Sequence, residues 1–270
     1  MVKRRVNLRS IKALSVRYLL FVRLQCTIID VEMRHKIVGD NLQMVVIELE
    51  PGEKVFAEAG ALNHMSANVE METKIKGGFL KGLKRMFSGE SLFLTEFKAS
   101  RGNGVVAFTG SVPGKIVPVK IERGKEVLVQ KDAFLVAEEG VDLDIAFVKR
   151  FGAGFFGGEG FILEKLSGEG LAFIHACGDL IEYDLQSNQI LKVDTGHVVG
   201  FEATVDYDIT LVKGVKSMLF GGEGLFLAKL TGPGKVMLQS MTLRNLAAAL
   251  SPFLPKGSSG SGGIQFKLGF

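Results

Sequence analysis

The sequence predicts an all-β fold of three internally repeated β-sandwich-like units in a pseudo-three-fold arrangement, with one or two short helices. Three observations carry this expectation. A glycine-rich landmark recurs, as FSGES from Phe87 and as FGGEG from Phe156 and again from Phe220, so that Gly89, Gly158 and Gly222 stand 69 and 64 residues apart; a fixed period of that order marks a repeat architecture. Short apolar runs alternate with polar residues at period 2, the pattern of a half-buried strand. Helical periodicity is nearly absent.

Residues 1–32 form a basic arm. It holds Lys3, Arg4, Arg5, Arg9, Lys12, Arg17 and Arg23 against Asp30 and Glu32, whereas the other 26 basic and 27 acidic residues almost cancel. The formal charge of +4 therefore belongs to the arm, and the body lacks the positive field that steers a protein toward phosphates. The arm resembles an organelle-targeting, membrane-surface or weak signal segment, but no compact apolar run leads to a small-residue cleavage site. Met33 is a plausible alternative first residue, so the arm reads as an extension of the body. One extra helix or strand packed on that body is the alternative.

The three units are expected at residues 33–110, 111–178 and 179–250. Each begins with strands broken at a polar turn, at Pro51-Gly52, Arg123-Gly124 and Ser187-Asn188. Each landmark then leads into an apolar run: SLFLTEF from Ser91, GFILEKL from Gly160 and GLFLAKL from Gly224. A glycine turn follows, and a second run returns as VVAFTG from Val105, LAFIHACG from Leu171 and KVMLQSM from Lys235. Two such runs joined by a glycine turn read as a β-hairpin, and three hairpins are expected.

Helix is expected in two places only. Phe79, Leu80, Leu83 and Phe87 have amphipathic spacing within Gly77 to Phe87, and Leu243 to Leu250 is rich in helix formers before Pro252 ends it. Residues 251–270 form a Gly/Ser-rich tail that reads as a linker, closing on IQFKLGF. Sheets with one apolar face must bury it against another layer. Edges left over invite pairing between subunits.

Little in the sequence carries chemistry. The stretch GAGFFG, Gly152 to Gly157, is a literal dinucleotide fingerprint, but a strand-like run follows where a helix must open on the phosphates. No GxxxxGK[ST] occurs. Glu90, Glu159 and Glu223 recur in register; a carboxylate between glycines accepts the amides of its own turn, with convergence on a cation or display to a partner as alternatives. Phe87, Gly89, Phe156, Gly158, Phe220 and Gly222 complete that structural turn signature.

His35, His64, His175 and His197 show no zinc-ligand spacing. His175 and Cys177 share a strand face and read as core or edge residues, since an activated thiol also needs an orienting third group. Asp194 and His197 could form a dyad, but no GxSxG elbow accompanies them. Lys81, Lys84 and Arg85, between Phe79 and Phe87, make a possible interaction surface: packing on the protein's own sheet is preferred over a membrane surface or a single nucleic-acid strand. With only Cys26 and Cys177 there is no disulfide framework, so a reducing compartment is expected. No apolar run is long enough to cross a bilayer as a helix.

The opening MRHKIVGDNLQMVVIELEPGEKVFAEAGALNHM from Met33, the MFSGES segment, both FGGEG copies and the closing ALSPFLPKG from Ala249 resemble one known family. It comprises uncharacterised bacterial and archaeal proteins related to the mitochondrial altered-inheritance (biogenesis) proteins. The resemblance covers residues 33 to 257 and leaves the arm outside. It implies a fold similar to the tryptophan RNA-binding attenuation protein and a trimeric or other ring-like assembly. It transfers neither RNA nor tryptophan binding, because function lives in sites and not in topology, and it supplies no catalytic residues. Mitochondrial relatives are tied to inner-membrane organisation, which implies a scaffold or membrane-associated role.

The expectation is a non-enzymatic, self-assembling scaffold or macromolecule-binding module, a homo-oligomer with the trimer favoured. It would need no cofactor and no metal. The compartment expected is the cytoplasm, at or near a membrane surface, with a protein or membrane-surface partner. Three alternatives stand beside it: an RNA or single-strand nucleic-acid module, a membrane-surface organiser, and an enzyme with an unrecognised site.

Overall fold

The computed structural model describes residues 33–253 other than 59, 75–93, 150–160 and 213–224. The described residues belong to one compact unit. They are mostly strand, with one α-helix among them.

A leading strand β1 (His35–Val38) precedes three stretches of six strands. The first holds β2 (Met44–Leu49), β3 (Lys54–Glu58), β4 (Leu62–Met65), β5 (Val69–Lys74), β6 (Leu94–Ala99) and β7 (Gly104–Thr109). The second holds β8 (Gly114–Ile121), β9 (Val127–Gln130), β10 (Phe134–Glu138), β11 (Val141–Lys149), β12 (Phe161–Gly168) and β13 (Gly170–Cys177). The third holds β14 (Leu180–Leu185), β15 (Ile190–Asp194), β16 (Val198–Glu202), β17 (Asp206–Val212), β18 (Leu225–Thr231) and β19 (Gly234–Gln239).

In every stretch the first and third strands pair with the sixth, and the second and fourth pair with the fifth, all antiparallel. Each stretch is thus two three-stranded layers closed over a core. Phe97 meets Phe108 edge to face at 5.1 Å in the first core, and Phe201 meets Tyr207 at 5.3 Å in the third.

Consecutive stretches share a sheet. Strand β3 pairs with β10, and β9 pairs with β16, which produces two six-stranded sheets ordered β5-β6-β3-β10-β13-β8 and β11-β12-β9-β16-β19-β14. The central strands of these sheets are buried on both faces. Val55 and Ala57 enter the first core while Phe56, between them, enters the second; Val127 and Val129 enter the second while Leu128 enters the third. A strand buried on both faces has no polar alternation to show, which is why VFA, VLV and FLVA are unbroken apolar runs.

The three hairpins expected across the glycine turns do not form. Strands β6 and β7 lie in different sheets, as do β12 and β13, and β18 and β19. The turn is a corner that carries the chain from one layer to the other, and period-2 alternation is identical in the two cases. Gly170 and Gly234 hold φ of +147° and +142° at these corners. A Cβ on Gly234 would stand 2.5 Å from Thr204 Oγ1 and 2.8 Å from Val205 Cγ2, and one on Gly104 would stand 2.6 Å from Val69 Cγ2. The close approach of the chain entering the fourth strand therefore requires glycine.

The true antiparallel neighbours are β5 with β6, β11 with β12, and β17 with β18. The three landmarks occur in the chain between these partners. Helix α1 (Leu243–Leu250) has the bounds its sequence predicts; Thr242 caps it, its hydroxyl accepting from the Asn245 amide at 3.0 Å.

Candidate functional site

The first and last layers are half-sheets. One is β1-β2-β7-β4 and the other β15-β18-β17. Among the described residues β4 pairs only with β7 and β15 only with β18, although their counterparts β10, β16, β3 and β9 are all interior strands. The two open edges are the feature of the fold with most capacity for interaction, since an edge strand presents a row of unclaimed donors and acceptors.

Their sequences differ from those of the interior counterparts as position demands. FLVA in β10 is fully buried, whereas Asn63, His64 and Met65 in β4 are exposed; in β15 Ile190, Lys192 and Asp194 are exposed and only Val193 is buried. Both edges are held firmly at one end. Asn68 Nδ2 donates to the carbonyls of Arg101 at 2.7 Å and Asn103 at 3.0 Å, and Ser66 Oγ donates to Asn68 Oδ1 at 2.7 Å. Ahead of β15, the Gln186 amide donates to Gln189 Oε1 at 2.9 Å, and the Gly232 amide to the Gln189 carbonyl at 2.9 Å.

The sequence-predicted residues divide into two groups. Phe87, Gly89, Glu90, Phe156, Gly158, Glu159, Phe220, Gly222, Glu223, Lys81, Lys84 and Arg85 lie outside the described residues. The GAGFFG stretch, the helix expected from Gly77, the arm with Cys26 and the tail beyond Phe253 lie outside them too.

The histidines are described, and each has contacts of its own. His35 Nδ1 is 3.0 Å from the Met33 carbonyl and its ring packs edge-on against Phe173. His64 Nδ1 lies 2.9 Å from Asn63 Oδ1. His197 Nδ1 donates to the Gln239 carbonyl at 2.7 Å, while Asp194 Oδ1 accepts from the Gly196 amide at 3.0 Å, so each has a structural partner of its own. His175 is buried, and that burial pushes its pKa down, opposed by a backbone hydrogen bond with Val112. Burial pushes the Cys177 thiol up, the opposite of what activates a nucleophile. Among the described residues no group of three or more His, Cys, Asp or Glu side chains is placed to hold a metal ion. No described helix is long and apolar enough to cross a membrane.

One residue escapes sequence reasoning altogether. Glu164 in β12 is fully buried, and neither carboxylate oxygen finds a hydrogen-bond partner among the described residues. Burial, and then the nearby charges of Glu58 and Asp132, hold its carboxyl well above the usual range, with Lys131 pulling the other way. It lies opposite Val129 as Thr95 lies opposite Ala57 and Ala228 opposite Val193. An acid at a position held elsewhere by Thr95 and Ala228 is the signal that would have found it.

The sequence pattern of the family described as mitochondrial biogenesis AIM24 matches residues 35–241. An uncharacterized protein of Streptococcus pyogenes serotype M6 is 30% identical over 224 residues, covering 80% of this chain and 88% of that protein. The X-ray crystal structure of a Streptococcus pyogenes protein from a structural genomics programme superposes with a TM-score of 0.67 at 28% identity. It covers 83% of this chain and all of that one.

Proposed function

The chain belongs to the mitochondrial biogenesis AIM24 family, and from that premise we propose that it is a self-assembling, non-enzymatic β scaffold. The observation that carries the reading is the pair of open half-sheets. Strands whose counterparts are interior end the structure at both sides, and an interior type of strand left at an edge calls for a partner. Asn63, His64 and Lys192 keep those edges soluble until they are covered, as polar and charged side chains do on natural edges.

The approximate three-fold relation among the units belongs to the same proposal. Each six-stranded stretch has the same four pairings, which supports reading them as copies of one sandwich. A ring that closes by adding whole chains, with the trimer as the expected size, uses that copying a second time. Engagement of all four histidines in structural contacts supports a role other than catalysis.

Native mass of the full chain, measured across a range of protein concentration together with RNA binding at two salt concentrations, tests the reading. An oligomer without RNA affinity is the expected result. A strict monomer that forms a salt-sensitive RNA complex would replace the scaffold with a nucleic-acid module, because phosphate contacts weaken steeply with salt.

A further inference from the structure

We propose that copies of the chain assemble head to tail, β15 of one copy pairing antiparallel with β4 of the next in a single register that sets Lys192 opposite the partner's Met65. The proposal rests on the self-assembly reading above and goes further, naming the two strands and the residues that meet.

The register follows from the two junctions inside the chain. At the first, Ala57 faces Val136, Phe56 faces Ala137 and Val55 faces Glu138. At the second, Val129 faces Gly200, Leu128 faces Phe201 and Val127 faces Glu202. Two observations fix which residues of β15 and β4 correspond to these. In the second strands, Ala57, Val129 and Val193 lie opposite Thr95, Glu164 and Ala228 of the fifth. In the third strands, Met65, Ala137 and Phe201 lie opposite Val106, Ala172 and Val236 of the sixth, each two residues beyond the corner glycine. All three of these pairings carry a register shift at the same place, two residues into the strand.

Transferring the internal registers puts Val193 opposite the partner's His64, Lys192 opposite the partner's Met65, and Leu191 opposite the partner's Ser66. The joined sheet would run β17-β18-β15 and then β4-β7-β2-β1 of the next copy. Its first six strands repeat the order of both complete sheets. Strands β4 and β15 are thereby converted from edges into interior strands; β17 ends the joined sheet as β5 and β11 end the complete ones, and β1 covers β2 at the other end. A second copy is the occupant favoured because the half-sheets are complementary halves of a sheet that the chain already builds twice.

The junction is heterologous, so it propagates until it closes. It is also more polar than its internal templates, where Phe56, Leu128, Ala137 and Phe201 stand in place of Lys192 and Met65. That difference suits a contact between chains that must exist apart before they meet.

The test is a cysteine pair in the full chain with Cys26 and Cys177 replaced by serine and alanine. Lys192→Cys with Met65→Cys places the thiols directly across the proposed junction, at a separation a disulfide can span after small adjustment. Both positions are exposed in the single chain, so folding is expected to survive and is checked by circular dichroism. Mild oxidation should shift most of the protein from the monomer band to covalent oligomers on a non-reducing gel. The pair Lys192→Cys with His64→Cys, slipped by one residue to the opposite face, should leave most of it as monomer. A native oligomer that yields no cross-link, or equal cross-linking by both pairs, would overturn the proposed register while leaving self-assembly intact. Loss of both thiols within a monomer would overturn it in favour of closure inside one chain. A cysteine-free parent that is monomeric at all concentrations would overturn both readings.

Discussion

The backbone amide of Lys235 donates a 3.0 Å hydrogen bond to Glu202 Oε2, tying the start of β19 to the end of β16. The Leu171 amide donates to Glu138 Oε2 in the same way, and the Val105 amide to Ser66 Oγ at 2.9 Å. Each acceptor sits at or just past the end of a third strand, and each donor directly follows a corner glycine. The chain thus satisfies one amide exposed by its turn between layers with a side chain from the neighbouring strand.

Glu138 is the least exposed of the two glutamates in this role. Glu138→Ala is expected to lower stability by about 1.5–3 kcal/mol, the range for a hydrogen bond to a charged acceptor. Glu138→Gln keeps an acceptor and should lose less than half of that. Urea midpoints of the two variants check the difference; equal losses would show that the charge, and not the tie to Leu171, carries the effect.

Asn188 has φ of +64° at the turn before β15, the place taken by Gly52 and Gly124 ahead of β3 and β9, with φ of +92° and +81°. Asparagine tolerates the left-handed region and β-branched residues do not. Asn188→Gly should therefore be nearly neutral, within about 0.5 kcal/mol, and Asn188→Val should cost about 1–2 kcal/mol. Thermal melts measure both. A neutral valine would mean that the turn relaxes to another conformation.

A Cβ at position 234 has nowhere to go, with Thr204 Oγ1 at 2.5 Å and Val205 Cγ2 at 2.8 Å. The clash and the positive φ act together, so Gly234→Ala should destabilise by roughly 2–3 kcal/mol. Gly124→Ala is the control, because φ is positive there but no atom lies within 4 Å of the added carbon. It should cost only about 1 kcal/mol.

These corners show how far the sequence can be read. The alternating runs identify the strands, and the helix formers of LRNLAAAL with Pro252 behind them identify α1. The same alternation cannot say which strand lies beside which, so the run after Gly104 reads as a hairpin partner of the run before it when it belongs to the opposite layer. Partners here are chosen by burial on two faces, a property of the assembled sheets. Composition hides the open edges for a related reason. Asn63 and Lys192 read as ordinary polar residues until β4 and β15 are matched to β10 and β9, whose equivalents are apolar. Glu164 is hidden likewise, an acid inside the strand-like run GFILEKL whose burial comes only from the assembled sheets.

Glu164 makes stability depend on pH in a direction most carboxylates do not. Its carboxyl titrates well above the usual range because burial and the charges of Glu58 and Asp132 disfavour ionisation, only partly relieved by Lys131. The folded chain therefore holds a proton that the unfolded chain releases. Below the usual carboxylate range both states are protonated and the residue contributes no slope. As pH rises from that range toward the raised folded value, the unfolded state gains by ionising and stability falls. Glu164→Met keeps the length of the side chain and removes the titrating group, so it should flatten this slope and raise stability at pH 8 by at least about 1 kcal/mol, the least an unsatisfied buried polar group costs. Urea melts of parent and variant between pH 5 and pH 8 decide the matter. Parallel curves would show that another group sets the slope, and a variant weaker than the parent throughout would show that the buried carboxyl stabilises the fold.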